Sequence, residues 1–302
     1  MIDIAIIGGG PAGLTAGIYA KRAGLDMVII EKIYPGGQVQ NTAMLENYPG
    51  IPSISGSELA ENMHMHAKSL GIDFVLKNVV TISGEKGNFT ISLENGDEIS
   101  AKNIIIATGT TWKKMGVAGE SEYIGRGISS CAVCDGFFYK ERDVIVVGGG
   151  DSAVEESIYL TRFAKSVTVI HRRDELRAQK VIQEEAFKNE KISFVWNSIP
   201  EEVLGNSEKV TALRVKNVQT GELTDIPTDG IFVYIGMLPN CDFLPADFLS
   251  VDEGGFIITS ENLETSVKGI FAAGDVRSNA FRQIITACAD GARAVRAIEN
   301  NF

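Results

Sequence analysis

Cys131-Ala132-Val133-Cys134-Asp135 is the stretch with the clearest capacity for chemistry. Two thiols separated by two residues can close a small disulfide ring and reopen it. Each can be made acidic by its partner and by a nearby helix start. A ring this small removes little entropy from the unfolded chain, so it is a poor staple. Its better use is to store two electrons and pass them on. The chain has four cysteines, and Cys241 and Cys288 complete the set. That is too few for a disulfide scaffold and fits one redox pair in a reducing, cytoplasmic setting.

Two glycine turns stand on either side of this pair. Ile4-Ala5-Ile6-Ile7 runs into Gly8-Gly9-Gly10-Pro11-Ala12-Gly13, with a helical pattern through Ala23. Gly8, Gly10 and Gly13 fit G-x-G-x-x-G, where a tight turn lets a pyrophosphate approach backbone amides and a helix start. A second strand, Met27–Ile30, ends in Glu31, placed to accept from ribose hydroxyls. The pattern returns as Val144–Val147, then Gly148-Gly149-Gly150-Asp151-Ser152-Ala153, a helix over Val154–Phe163 and a strand over Val167–Ile170. The chain therefore holds two copies of one nucleotide-binding unit. Glu31 lies 23 residues after Gly8; 23 residues after Gly148 stands His171, followed by Arg172, Arg173 and Arg177. An arginine cluster at that offset suits a 2′-phosphate, which favours NADPH over NADH.

Other elements must position these groups. Ser57–Leu70 reads as a helix capped by Ser57 and stopped by Gly71. His64 and His66 within it share no face and are expected at the surface or on a dimer face rather than on a metal. Residues 72–100 read as a β-meander, Asn103–Gly109 as a buried strand ending in Thr108-Gly109, 111–120 as a linker, and 192–226 as a second meander. Ile231–Gly236 and Gly269–Asp275 are further strands ending in glycine. Phe281-Arg282-Gln283 opens a helix running to about Glu299. That helix start is a sensible place for the anionic edge of a reduced flavin.

Bulk properties exclude several classes. A length of 302 residues allows one large or two medium domains, and a net charge of -11 disfavours nucleic acid and anionic membrane as partners. No apolar run approaches the ~20 residues of a membrane span. Met1-Ile2-Asp3-Ile4 runs directly into a strand, so no signal peptide is expected. No second Cys pair or spaced His pair supports a metal site. Cys241 and Cys288 read as small apolar fillers.

Taken together and in order, these motifs resemble low-molecular-weight, bacterial-type, NADPH-dependent thioredoxin reductases over essentially the full chain. The carriers are Gly8–Gly13, Gly36-Gly37-Gln38, Glu46–Gly50, Ala107-Thr108-Gly109, Cys131–Gly136, Gly148–Ala153, His171-Arg172-Arg173, Gly274-Asp275 and Arg282-Gln283. The resemblance implies an α/β fold of two Rossmann-like dinucleotide-binding domains of the three-layer ββα type. An NADPH domain (115–244) carrying the Cys pair is inserted into an FAD domain (1–114 and 245–302). FAD would meet Gly8, Gly10, Pro11, Ala12, Gly13, Glu31, Gly37, Gln38, Asn47, Thr108, Gly109, Gly274, Asp275, Arg282 and Gln283. NADPH would meet Gly148, Gly150, Asp151, Ser152, Ala153, His171, Arg172, Arg173 and Arg177.

The resemblance also implies a homodimer and a relay. Hydride passes from NADPH to FAD, and reduced flavin meets the disulfide at Cys134. Cys131 then attacks the disulfide of thioredoxin or a similar small dithiol protein, while Asp135 handles the proton. Nicotinamide and the Cys pair cannot share one flavin face, so the inserted domain is expected to rotate on its linkers. Three other readings stay open: the same relay serving a glutaredoxin-like protein or peroxiredoxin, a ferredoxin-fed reductase, and a non-catalytic FAD-binding sensor. Ferredoxin-fed relatives lose the second glycine motif and the arginines, which this chain keeps. A sensor has no use for a reducible Cys pair.

Overall fold

The computed structural model describes residues 1–42 and 45–300. The chain forms two compact units, one from residues 1–111 with 238–302 and the other from 112–237.

The first unit opens with β1 (Ile2–Ile7), α1 (Pro11–Arg22), β2 (Met27–Glu31), α2 (Gly56–Ser69) and β3 (Phe74–Leu76), and continues with β4 (Val79–Glu85), β5 (Asn88–Leu93), β6 (Glu98–Ile106) and β7 (Thr110–Trp112). β1 pairs in parallel with β2 and β6, Ile6 lying opposite Ile29 and Ile105. Ile4, Ala5, Ile6 and Ile7 are all buried, as expected of a parallel strand covered on both faces. Ile4 and Ile6 pack with Leu14 of α1. Ala5 and Ile7 pack with Ile82, Phe89 and Ile91 of the antiparallel ribbon β4–β6.

The second unit follows with α3 (Glu120–Tyr123), β8 (Ile128–Ser129), α4 (Ala132–Asp135), β9 (Asp143–Gly148), α5 (Asp151–Leu160), β10 (Ser166–Ile170), α6 (Lys180–Lys188) and β11 (Ile192–Val195). The meander β12 (Ser198–Gly205), β13 (Val210–Asn217) and β14 (Leu223–Pro227) leads to β15 (Gly230–Tyr234). Its sheet runs β11-β10-β9-β15-β8 and is parallel throughout. β16 (Met237–Pro239) pairs with β7 where the chain returns. The first unit closes with β17 (Ile270–Ala272), parallel to β6, and α7 (Ile284–Glu299), whose Val295 and Ile298 join the α1 face of the sheet.

Several local expectations change. α2 starts two residues earlier than read: Ser55, not Ser57, is the cap and accepts from Glu58 N at 3.2 Å. The Ser-x-x-Glu spacing explains the choice. β3 and β11 pair in parallel with β2 and β10, so the meanders begin only at Val79 and Ser198. α5 begins directly at the glycine turn and ends at Leu160 rather than Phe163. His64 is buried, its Nδ1 3.1 Å from Tyr34 Oη, and is not a surface residue. The units meet in sequence at 111/112 and 237/238, where the β7–β16 pairing takes up residues read as linker.

Candidate active site

The disulfide turn is built inside the second unit. Cys131 and Cys134 are joined, with Cα atoms 5.3 Å apart. Cys131 caps the short α4, its Sγ accepting from Cys134 N at 3.2 Å. Ser129 Oγ accepts from Cys131 N at 3.1 Å and donates to Asp135 Oδ2 at 2.5 Å. The other oxygen, Asp135 Oδ1, is shut off from solvent with no hydrogen-bond partner among the described residues. Burial pushes the Asp135 carboxyl up, and the Ser129 bond partly offsets this. Tyr234 Oη accepts from Ala132 N at 2.6 Å. The result is a buried carboxyl linked through Ser129 to the Cys131 amide of a reversible disulfide, in a turn whose amides are held by fixed acceptors.

The first glycine turn shows why its glycines are required. A Cβ on Gly8, at φ 107°, would lie 2.4 Å from Ala107 O, and one on Gly13 would lie 1.8 Å from Gly8 O. Gly10 caps α1 with Pro11 at its first position. Glu31 Oε2 accepts from Gly9 N at 2.7 Å, which fixes the acid beside the turn. Gly37 approaches Gly10 backbone to backbone. Gln38 Nε2 donates to Thr110 O at 3.0 Å, and Asn47 Nδ2 donates to Gln283 Oε1 at 3.2 Å. Gly109 O accepts from Asn240 N. Gly274 N donates to Asp290 Oδ2 at 3.1 Å, and a Cβ on Gly274 would meet Ala12. Burial pushes the Asp275 carboxyl up to about 6, with Arg282 opposing and Asp290 adding to the rise. Arg282 lies over Phe256 at 4.4 Å, and Gln283 caps α7 in a reciprocal bond pair with Thr286.

These positions fit a flavin dinucleotide. Thr108 Oγ1 and Arg282 Nε are enclosed polar atoms without partners among the described residues. Gly10 has only Gly37 Cα within 4 Å of where its Cβ would be, leaving a cradle above the α1 start.

The second glycine turn repeats the backbone. A Cβ on Gly148, at φ 150°, would lie 2.5 Å from Tyr234 O, and one on Gly149 would lie 2.3 Å from the His171 ring. Gly150 caps α5, Asp151 Oδ1 accepts from Gln179 N at 2.7 Å, Ser152 is exposed and Ala153 is buried. Arg177 N donates to Gly149 O at 2.7 Å. His171 is buried, and its Nε2 has no partner among the described residues. Burial lowers its pKa first of all, and Arg172, Arg173 and Arg177 lower it further against a bond with Glu175. The three arginines are exposed and make no ion pair among the described residues. Unpaired guanidinium groups beside a helix start suit a phosphate carrying two charges.

Three residues escape the sequence reading: Ser129, Tyr234 and Glu156. Only Glu156 left a signal, an acid on the otherwise apolar stripe of α5. Cys241 packs among apolar neighbours, and burial pushes its thiol up to about 12; Cys288 is buried with its Sγ 3.9 Å from Tyr48 Oη.

Comparison with known proteins agrees. The sequence profile of the pyridine nucleotide-disulphide oxidoreductase family matches residues 2–291. A thioredoxin reductase of Listeria innocua is 48% identical over 295 residues, 97% of this chain and 91% of its own length. One from Bacillus subtilis is 47% identical, covering 99% of this chain and 94% of its own. The crystal structure of thioredoxin reductase from Streptococcus pyogenes superposes with a TM-score of 0.93 at 47% identity, covering 99% of this chain and 97% of that one.

Proposed function

The chain belongs to the pyridine nucleotide-disulphide oxidoreductase family, and on that premise we propose that it reduces thioredoxin with electrons drawn from NADPH through FAD and the Cys131–Cys134 disulfide. The observation that carries this reading is the disulfide itself. It sits in a turn with a buried acid, in a unit that also holds a glycine turn flanked by unpaired arginines.

The FAD domain corresponds to residues 1–114 and 245–302 and the NADPH domain to 115–244. Gly8, Gly10, Pro11, Ala12 and Gly13 cradle the flavin's pyrophosphate, with Glu31 on the ribose. Gly37, Gln38, Asn47, Thr108, Gly109, Gly274, Asp275, Arg282 and Gln283 hold the rest of FAD. Gly148, Gly150, Asp151, Ser152, Ala153 and His171 hold NADPH, with Arg172, Arg173 and Arg177 on its 2′-phosphate. When bound, FAD supplies a two-electron step between nicotinamide and disulfide.

The protein's own groups then do three things. Cys134 is the sulfur that receives the electrons. Cys131 is released and attacks the partner's disulfide, expelling one partner sulfur and forming a mixed disulfide. Cys134 then attacks Cys131 Sγ, re-forms the Cys131–Cys134 bond and expels the partner's second sulfur. Asp135, raised by burial, holds and returns the proton. Phe137 and Phe138 stand exposed immediately after the pair, an apolar step that a protein acceptor can cover.

The reading includes a homodimer in the cytoplasm. The charge of -11 supports independence from nucleic acid and anionic membrane, and no described helix is long and apolar enough to cross a membrane.

The test is anaerobic NADPH addition to the yellow protein, followed by thioredoxin, with wild type, Cys131→Ser and Cys134→Ser. Turnover is expected only with both sulfurs. Bleaching without onward transfer indicates a sensor, and failure to bleach with NADPH indicates a ferredoxin-fed enzyme.

A further inference from the structure

Counted from the two glycine turns, Glu156 of α5 occupies the place that Ala16 holds on α1. On a helical period Ala153, Glu156 and Leu160 share one face. That face covers the disulfide turn: Ala153 and Leu160 pack with Ala132, Tyr139, Phe232 and Tyr234, and Leu160 lies against Gly136. Glu156 Oε2 is shut off from solvent with no hydrogen-bond partner among the described residues. Burial, and after it the charge of Glu155, pushes this carboxyl up to about 7.

The surroundings leave few other charges. β9 and β10 present Val144, Val146, Val167 and Val169 to the same cluster, and α6 packs on the opposite stripe of α5, at Val154 and Ile158. The titratable groups acting here are Glu155, Tyr234 and Asp135, with Tyr139 beyond Asp135. Burial and the Glu156 charge hold Tyr234 in its phenol form, and its hydroxyl accepts from Ala132 N, next to Cys131.

We propose that Glu156 is a second proton-holding carboxyl of the disulfide turn, linked to it through Tyr234, and that it takes up a proton when the pair is reduced. It acts alongside Asp135 as a positioning residue and touches neither sulfur. Two electrons, supplied by the enzyme's own reductant, break the Sγ–Sγ bond and leave two sulfur charges. One proton makes one sulfur a thiol. The other stays a thiolate, whose charge draws a second proton from solvent onto the Glu156 carboxylate. When the acceptor's disulfide removes both electrons, its new dithiol takes two protons, one of them released from Glu156.

The inference rests on the reversible disulfide alone. Reduced-minus-oxidised infrared difference spectra of the flavin-loaded enzyme at pH 7.5 test it, with Cys131→Ser as the flavin-only baseline. The expected result is a protonated-carboxyl C=O band gained on reduction, lost in Glu156→Gln and kept in Asp135→Asn. A band missing from wild type, present equally in the baseline, or kept in Glu156→Gln overturns the proposal. A second reading uses equilibrium with dithiothreitol from pH 6 to 8, dithiol being counted by alkylation and mass. Glu156→Gln takes up fewer protons, so its dithiol should gain on wild type by up to tenfold per pH unit. Coincident slopes overturn the proposal too.

Discussion

The two glycine turns are the same backbone put to different uses. In each, the first glycine has positive φ and presses against a carbonyl of the neighbouring strand, Ala107 O in one and Tyr234 O in the other. In each, the third glycine caps the helix with no side chain of its own. The differences lie where a side chain is free to vary. Gly13 becomes Ala153, Glu31 becomes His171 with its arginines, and Ala16 becomes Glu156. Backbone geometry is therefore what the two copies share; a methyl separates them at one of these positions and charge at the other two. Under the proposed function it is the exchange of Glu31 for His171 and its arginines that suits one turn to free ribose hydroxyls and the other to a phosphorylated ribose.

The largest expected difference between the copies is steric. Gly13→Ala puts a methyl 1.8 Å from Gly8 O, against backbone that cannot yield. It should destabilise the first unit by about 3 kcal/mol or more and release the flavin. Ala153→Gly, the mirror change, should lower stability by about 1 kcal/mol. Urea unfolding together with retained yellow colour measures both; similar losses would mean the two helices sit equally close to their strands.

Next comes charge. Removing Arg173 and Arg177 together should raise KM for NADPH by ten- to a hundredfold, about 1.5–3 kcal/mol, while NADH use changes little. Equal loss with both nucleotides would mean the arginines serve only general attraction. In the first copy, Glu31→Gln keeps the shape but weakens the acceptor for Gly9 N, now at 2.7 Å. Flavin affinity should fall about tenfold, near 1.4 kcal/mol, with NADPH binding untouched. Dialysis against potassium bromide and flavin re-addition would show it.

What the sequence revealed follows the same division. The glycine turns, Glu31, the arginines and the Cys pair were legible because each is set by local spacing or by a conformation only glycine adopts freely. β3 and β11 were hidden because three or four apolar residues give no period to tell a parallel strand from the start of a meander. His64 looked like a surface residue because its partner, Tyr34, lies 30 residues back. Tyr234 was invisible for a stronger version of that reason: its bond to Ala132 N spans 102 residues. Among the distant partners, Glu156 alone was detectable beforehand, since an acid between Ala153 and Leu160 breaks an apolar stripe.

That broken stripe gives the smallest and sharpest contrast between the copies. Ala16, packed beside Gly291 of α7, carries nothing that titrates. Glu156 is raised from 4.5 to about 7 in the folded protein. The folded state thus holds its proton more tightly than the unfolded chain does. The stability this gives is fully present below pH 4.5 and is lost as pH rises through about 7. Glu156→Gln cannot titrate, so it should match wild type at pH 4 and exceed it at pH 8. The full shift would be near 3 kcal/mol, but part of the side chain still meets water, and screening reduces the expected gain to about 1 kcal/mol. Thermal unfolding of both proteins across this range should give curves that diverge between these limits and run parallel above pH 8. Curves parallel throughout would place the Glu156 carboxyl in solvent, leaving α5 and α1 different in sequence at that position but alike in what they bury.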